Sequence, residues 1–222
     1  MLEERMVDLK RELTEYAGFV QAMIQRSIRG LLTREGNLLS LVVHEDEPKA
    51  NDWEIALDEL CISTIAQFQP RAKDLRRVLM TLEMNKDLER MADHAVNIAE
   101  HGLYLVERPE VKPLIDIPRM AAEVTGMVRD SLASFLKEDG GLAKDVCARD
   151  SVVDRLNGQI LRELIACMSA DPSTLERAVH LIDIAKNLER IADLSTNVGE
   201  DVIFMVEGRV IKHHKDEEAP GS

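Results

Sequence analysis

A stretch of nineteen residues recurs in this chain at a separation of one hundred positions. Residues 82–100 read LEMNKDLERMADHAVNIAE and residues 182–200 read IDIAKNLERIADLSTNVGE, with eight identities between them. Chance alignment would give about one identity, so the chain contains an internal duplication. The turns agree as well, because LLTREGNL at 31–38 aligns with FLKEDGGL at 135–142. The second half of the chain must therefore repeat the architecture of the first.

Amphipathic stretches separated by Pro and Gly clusters fill both halves. Aromatic residues make up only 3% of the 222 residues, a composition that favours helices over strands. Pro48 predicts a kink or a restart inside the second helix. The predicted class is all-α, a tandem repeat of two similar three-helix bundles. The six predicted helices are Leu2–Leu32, Leu38–Phe68, Pro70–Glu107, Arg119–Leu136, Leu142–Ser169 and Pro172–Glu207.

The Pro and Gly clusters also predict the domain boundaries. Residues 1–108 form the first repeat, and a connector at 109–118 contains three prolines. The second repeat covers 119–209. Residues 210–222 lack hydrophobic periodicity and are predicted to form a flexible tail.

Charge and apolar content limit the classes of function. The net charge of −13 argues against binding of nucleic-acid phosphates, which depends on clustered Lys and Arg. No apolar run reaches the ~20 residues that span a bilayer, and the N-terminus is charged from its third residue. The three cysteines never form a Cys-x-x-Cys pair, which is typical of small core residues in a reducing compartment. We therefore expect a cytoplasmic protein.

The duplicated segment carries the same polar face in both copies. At 100° per residue, the polar positions cluster within about a quarter turn and the apolar positions occupy the other side. A helix needs the apolar side for its core, but it does not need the same polar residues twice. The repeated polar residues are Lys86, Glu89, Asp93, Asn97 and Glu100, and Lys186, Glu189, Asp193, Asn197 and Glu200.

Antiparallel pairing of the second and third helices of each repeat brings further acidic residues to this face. Two residues that lie side by side on these antiparallel helices have sequence numbers that sum to about 139 in the first repeat and to about 342 in the second. Each repeat then gathers four acidic or amide side chains at one level. These candidate metal ligands are Glu47, Asn51, Glu89 and Asp93 in the first repeat, and Asp150, Asp154, Glu189 and Asp193 in the second.

Clustered carboxylates resist ionisation unless a cation or a basic group compensates their charge. Two interpretations stay open. A divalent ion held by oxygen ligands would neutralise the cluster, whereas salt bridges from Lys86, Arg90, Lys186 and Arg190 would make it a structural seam. The Glu-x-x-x-Asp spacing does not decide between them, because it also occurs at Glu4 and Asp8, Glu54 and Asp58, and Glu83 and Asp87.

Two other functions remain as alternatives. A carboxylate-bridged metalloenzyme on a helical bundle uses Glu-x-x-His motifs, and no histidine in this chain has a Glu three residues before it. A metal-free scaffold protein would use the acidic faces for solubility or for partner docking alone.

Three segments resemble the PhoU family of phosphate-transport regulators, and the similarity extends over nearly the whole chain. They are DELCISTIAQFQPRAKDLRRVLMTLEMNKDLERMADHAVNIAE from residue 58, DSVVDRLNGQILRELIACMSADP from residue 150, and LERIADLSTNVGEDVIFMVEG from residue 188. The resemblance implies a homodimeric adaptor without catalysis. Such an adaptor represses the phosphate-starvation response by linking the ATPase of a phosphate ABC transporter to a membrane sensor kinase. It would associate with the membrane only through these partners.

The resemblance also implies metal binding. The family's acidic-x-x-x-Asp motif matches Glu89 with Asp93, Glu189 with Asp193, and Asp150 with Asp154. At the remaining position this chain has Glu47 and Asn51, and the neutral Asn implies weaker binding in the first repeat. The ions implied are Fe, Zn, Mn, Ni or Mg.

Overall fold

A computed structural model describes residues 1–207. These residues contain no strand, and the predicted all-α class is confirmed. The predicted tail at 210–222, and the predicted end of the second repeat at 209, lie outside the described residues. The helices are α1 (Leu2–Thr33), α2 (Gly36–Leu41), α3 (Glu47–Phe68), α4 (Lys73–Val106), α5 (Asp116–Lys137), α6 (Gly140–Ala170) and α7 (Leu175–Glu207).

The irregularity predicted at Pro48 is a π-helical turn. Residues Val42–Asp46 join α2 to α3 without a break, and the N–H of Glu47 bonds to the carbonyl of Val42, five residues back. Pro48 has no N–H and cannot complete an ordinary helical bond to residue 44, so a wider turn before it accommodates the ring. The continuous α2–α3 helix is the second of six long helices.

Several predicted helix starts differ from the observed ones by two or three residues. Pro70 does not begin α4, because Gln69 ends α3 in a left-handed conformation and Ala72 also has a positive φ, so the helix starts at Lys73. The fourth predicted helix starts at Asp116 rather than Arg119. Pro118 is tolerated inside its first turn, where backbone N–H groups have no intrahelical partner.

The repeated turns confirm the duplication. Arg34 and Glu138 occupy equivalent positions 104 residues apart, and both end their helices in the left-handed conformation. The side chain of Asp139 then caps α6 by accepting from the N–H groups of Gly141 and Leu142. The two halves thus fold through the same kind of turn.

Helices α1, α3 and α4 form the first bundle, and α5, α6 and α7 form the second. The bundles share one apolar core, because α4 packs against α7 and α1 packs against α5. Bonds between residues 94 and 187 and between residues 101 and 180 show that α4 and α7 run antiparallel. Within residues 1–207, every helix lacks an apolar run sufficient to cross a membrane.

Candidate metal sites

Each duplicated segment turns one side toward the core and the other toward the surface, as predicted. The ten repeated polar residues are exposed or half-buried, so these side chains can reach both solvent and the neighbouring helix. The residues predicted for the opposite side are all buried: Leu88, Met91, Ala92, Ala95 and Ala99 in α4, and Leu188, Ile191, Ala192, Ser195 and Gly199 in α7.

The predicted hairpin registers are also confirmed. Asn85 Nδ2 donates to the carbonyl oxygen of Glu54 at 2.9 Å, and these residue numbers sum to 139. In the second repeat, Cys147 Sγ lies 3.8 Å from the carbonyl oxygen of Thr196, and these numbers sum to 343. Each hairpin therefore brings the acidic part of its second helix to the level of the duplicated segment.

In the first repeat, three carboxyl groups act on one another where α3 passes α4. The pKa of Glu89 is raised, mainly by burial and then by the charges of Asp93 and Glu54. A hydrogen bond between the carboxyl groups of Glu89 and Asp93 contributes to the same shift. Two carboxyl groups can share such a bond only when one of them holds a proton, and a cation between them would take the place of that proton.

The hydroxyl of Tyr16 is buried next to these carboxyl groups. Burial raises the pKa of Tyr16 most, and the charges of Glu89, Glu54 and Asp93 raise it further. The side chain is 0% exposed and stacks on Trp53, and its hydroxyl has no hydrogen-bond partner within residues 1–207. A buried hydroxyl without a partner is costly, so this site offers an oxygen that a bound ion or water could use.

Glu47 and Asn51, the predicted partners from the second helix, are placed differently from Glu54. Glu47 is half-buried in the first turn of α3, and Asn51 is exposed. Within the described chain, the α3 charge that acts on Glu89 is that of Glu54. Sequence reasoning missed Glu54 because its Glu-x-x-x-Asp spacing with Asp58 looked like an ordinary surface pair. The available signal was Trp53, since an aromatic neighbour indicates that this part of α3 is half-buried.

The second repeat gathers a different set of groups. Burial raises the pKa of Cys147 to about 11, with the charges of Glu200 and Asp150 as further causes. The predicted ligand Asp150 and Glu200, a member of the repeated polar face, both act on this thiol. The hydroxyl of Thr196 is buried there and has no hydrogen-bond partner among residues 1–207.

The other predicted ligands of the second repeat are more open. Asp154 is exposed, and Glu189 is half-buried. Asp193 accepts a hydrogen bond from Arg190 at 3.1 Å, and both side chains are largely exposed. This pair is the kind of contact that a salt-bridged seam requires.

Lys86 and Arg90 of the first repeat form ion pairs with carboxylates outside the cluster. Arg90 lies 3.7 Å from Asp87, and Lys86 lies 3.1 Å from Glu83. Neither ion pair involves Glu89 or Asp93. The charge of Arg90 opposes the rise in the pKa of Glu89 but does not outweigh burial and the neighbouring carboxylates.

No three His, Cys, Asp or Glu side chains in the described part of the chain are arranged so that they could hold one metal ion. The eight predicted ligands therefore stay a prediction. The residues of the first repeat nevertheless fit a cation chemically, since Glu54, Glu89, Asp93 and Tyr16 supply oxygen donors and share unfavourable negative charge. A bound ion would have to draw these side chains together.

The histidines with described contacts lie at the junction of the repeats. His94 Nδ1 bonds to Asn187 Oδ1 at 2.8 Å, and His101 Nδ1 bonds to His180 Nδ1 at 2.8 Å. Each of these contacts uses Nδ1 of the ring and joins α4 to α7.

These features define a class: duplicated, all-helical proteins whose two repeats carry the same polar helix face. The PhoU domain model matches the chain twice, at residues 13–101 and 117–202, and the chain belongs to the PhoU family. The match leaves out most of the connector and covers both duplicated segments.

Related proteins agree over the full length of the chain. The phosphate-specific transport system accessory protein PhoU homolog of Aquifex aeolicus is 37% identical over 212 residues, covering 96% of each chain. The PhoU homolog 2 of Thermotoga maritima is 32% identical over 217 residues, covering 98% of this chain and 92% of that protein. The crystal structure of PhoU from Pseudomonas aeruginosa superposes with a TM-score of 0.90 at 30% identity, covering 94% of this chain and 100% of that one.

Proposed function

We propose that this chain is a non-enzymatic accessory protein of a phosphate-specific transport system. The observation that carries the proposal is the 37% identity with the Aquifex accessory protein along 96% of both chains. Its relatives from Pseudomonas and Caulobacter have the same accessory designation. Because the similarity spans both repeats, it concerns the whole duplicated architecture.

The more specific proposal is a cytoplasmic regulator. It acts as a homodimer that represses the phosphate-starvation response by linking the transporter ATPase to a membrane sensor kinase. An adaptor needs exposed surfaces for docking, and each repeat carries an exposed apolar pair at equivalent positions near its hairpin end. These pairs are Ile62 with Leu79, and Ile165 with Val179, which are 60%, 47%, 48% and 43% exposed.

Deletion of the gene tests the regulatory role. We expect alkaline-phosphatase reporter activity to rise in phosphate-replete cells, and the wild-type gene to restore repression. Ile62→Glu and Ile165→Glu should fail to restore it, because a charge on an exposed apolar patch opposes docking without entering the core. Val7→Glu is the matched control, since Val7 is also exposed, at 67%, but lies on α1.

Co-purification of the ATPase and the kinase with each variant separates loss of docking from loss of protein. Unchanged reporter activity in a deletion strain that has no second copy of the gene would reject the repressor role. Loss of repression by Val7→Glu as well would show that the apolar pairs have no special part in it.

Metal binding by the acidic clusters is a separate part of the proposal. In the first repeat we infer that Glu54, Glu89, Asp93 and Tyr16 hold the ion, which would neutralise the carboxylates and link α1, α3 and α4. Tyr16 carries this inference, because its fully buried hydroxyl has no partner in the described residues.

The ligand set can be tested by reconstitution with Mn²⁺, Fe, Zn²⁺, Ni²⁺ and Mg²⁺ followed by elemental analysis. Glu54→Gln should reduce bound metal, whereas Asn51→Ala should have little effect. Glu4 and Asp8 have the same Glu-x-x-x-Asp spacing near the start of α1, away from the proposed ligands. The double variant Glu4→Gln/Asp8→Asn should therefore bind as much metal as the wild type. Wild-type protein that stays metal-free with every ion would identify the chain as a metal-free scaffold.

A further inference from the structure

One hydrogen bond between the two repeats joins two titratable rings. His101 lies on α4 of the first repeat and His180 on α7 of the second, and their Nδ1 atoms are 2.8 Å apart. The ring centroids are 5.0 Å apart at an interplanar angle of 66°. The contact lies near the C-terminal end of α4, next to the start of the connector.

Aromatic packing holds this pair in place. Tyr104 stacks on His180, with ring centroids 3.8 Å apart and an interplanar angle of 16°. The guanidinium of Arg108 lies over the other ring of this stack, 3.5 Å from the centroid of Tyr104. His180 is therefore restrained between a flat aromatic partner and the ring of His101.

Several charges act on the proton of His180. The pKa of His180 is lowered, mainly by burial and then by His101, with Arg108, just after the end of α4, also opposing protonation. The carboxylates of Asp183 and Glu176, on its own helix, act in the opposite direction. Burial and like charge outweigh these carboxylates, so a proton on His180 is disfavoured.

Proton counting decides when the contact can exist. A nitrogen–nitrogen hydrogen bond needs one Nδ1 that carries hydrogen and one that accepts it. Two neutral rings satisfy this condition, and so does a pair with one extra proton. When both rings are cationic, both Nδ1 atoms carry hydrogen, and like charges face each other at 2.8 Å.

We propose that His101 and His180 form a proton-sensitive contact that joins the two repeats near neutral pH and opens when both rings are protonated. Acidification then releases α4 from α7 beside the connector. This property is independent of the proposed role in phosphate transport, because it depends only on the junction of the repeats.

His94 makes a comparable contact between the repeats that lacks this sensitivity to protonation. Its Nδ1 bonds to Asn187 Oδ1 at 2.8 Å, and Asn97 Nδ2 lies 3.3 Å from the same oxygen. An amide oxygen only accepts, so His94 must donate from Nδ1. Protonation of His94 at its other nitrogen leaves that bond intact, and this contact should persist at low pH.

A double-mutant cycle tests the proposal on the full chain. The variants His101→Ala, His180→Ala and their combination are unfolded with urea at pH 7.5 and at pH 5.0. At pH 7.5 we expect a favourable coupling of about two- to tenfold in the unfolding equilibrium constant. At pH 5.0 the coupling should be smaller than at pH 7.5, and it should vanish or change sign where both rings are cationic.

The control cycle uses His94→Ala and Asn187→Ala, and its coupling should persist at both pH values. Equal coupling of His101 with His180 at pH 7.5 and 5.0 would overturn the proposal. If a variant fails to fold, nitrogen NMR of the wild-type histidine rings gives the answer. Two linked titration steps support the proposal, and two independent steps at the ordinary pKa contradict it.

Discussion

The carboxylate of Asp201 on α7 acts on Asp87 of α4 across the junction of the two repeats. Burial raises the pKa of Asp87 to about 6 from its ordinary 3.8, with Arg90 opposing the shift and Asp201 reinforcing it. The position one hundred residues later is Asn187, so the duplicated copy carries a neutral amide there. At this pair of equivalent positions, only the first copy carries a carboxylate.

We expect Asp87→Asn to stabilise the protein above pH 6. A carboxylate whose pKa is raised on folding costs nothing below pH 3.8, costs more as the pH rises, and costs its full amount above about pH 6. The shift corresponds to at most about 3 kcal/mol at pH 7.5. This amount already includes the opposing effect of Arg90.

Urea unfolding at pH 4.0 and 7.5 measures this effect. The gain should appear at pH 7.5 and nearly disappear at pH 4.0. Asp201→Asn is the control, and it should give part of the gain because it removes only the second carboxylate. A gain of equal size at both pH values would show that its origin is not ionisation.

Replacing Tyr16 by Phe should separate stability from ion binding. The hydroxyl makes no hydrogen bond within residues 1–207, so in metal-free protein its removal should leave the free energy of unfolding unchanged or raise it by about 1 kcal/mol. With a bound ion, the variant should lose affinity and show a smaller rise in Tm. Thermal melts with and without Mn²⁺ measure both effects, and a large loss of stability in metal-free protein would contradict the prediction.

Chelation tests the second repeat. If Asp150, Asp154, Glu189 and Asp193 hold an ion, chelator should lower the Tm, since a ligand stabilises by RT ln(1 + [L]/Kd). Glu189→Ala/Asp193→Ala should remove the bound metal while the helix persists, because neither residue belongs to the core. The salt-bridged seam predicts a melt that chelator does not change, with a cost of only ~0.2–1 kcal/mol for the lost Arg190 pair.

Two glycines of α1 should respond oppositely to alanine. A Cβ at Gly30 would lie 2.7 Å from Leu39, so Gly30→Ala should destabilise by about 1–3 kcal/mol through overpacking. A Cβ at Gly18 meets nothing within 4 Å, so Gly18→Ala should stabilise by about 0.5–1 kcal/mol through helix propensity. Urea denaturation of both variants checks the pair, and equal effects would contradict this account of the α1–α2 packing.

The acidic cluster of the first repeat shows how far sequence reasoning reached. The register placed α3 beside α4 correctly, since Asn85 bonds to the backbone of Glu54. It did not identify Glu54, because helical spacing places Glu47, Asn51 and Glu54 on nearly the same face of α3 and does not show which side chain is turned toward Glu89. In the structure Asn51 is exposed and Glu54 is half-buried.

The sequence by itself determined the helical class, the duplication, the buried faces of Leu88 and Leu188, and the pairing within each repeat. These follow from local periodicity and short turns, which act over a few residues. The tertiary structure decided which residues of the two repeats interact. His101 bonds to His180, and the charge of Asp201 acts on Asp87. The two copies share their spacing, so no local pattern records which residue of α4 meets which residue of α7. Only packing of both bundles around one core fixes those pairs.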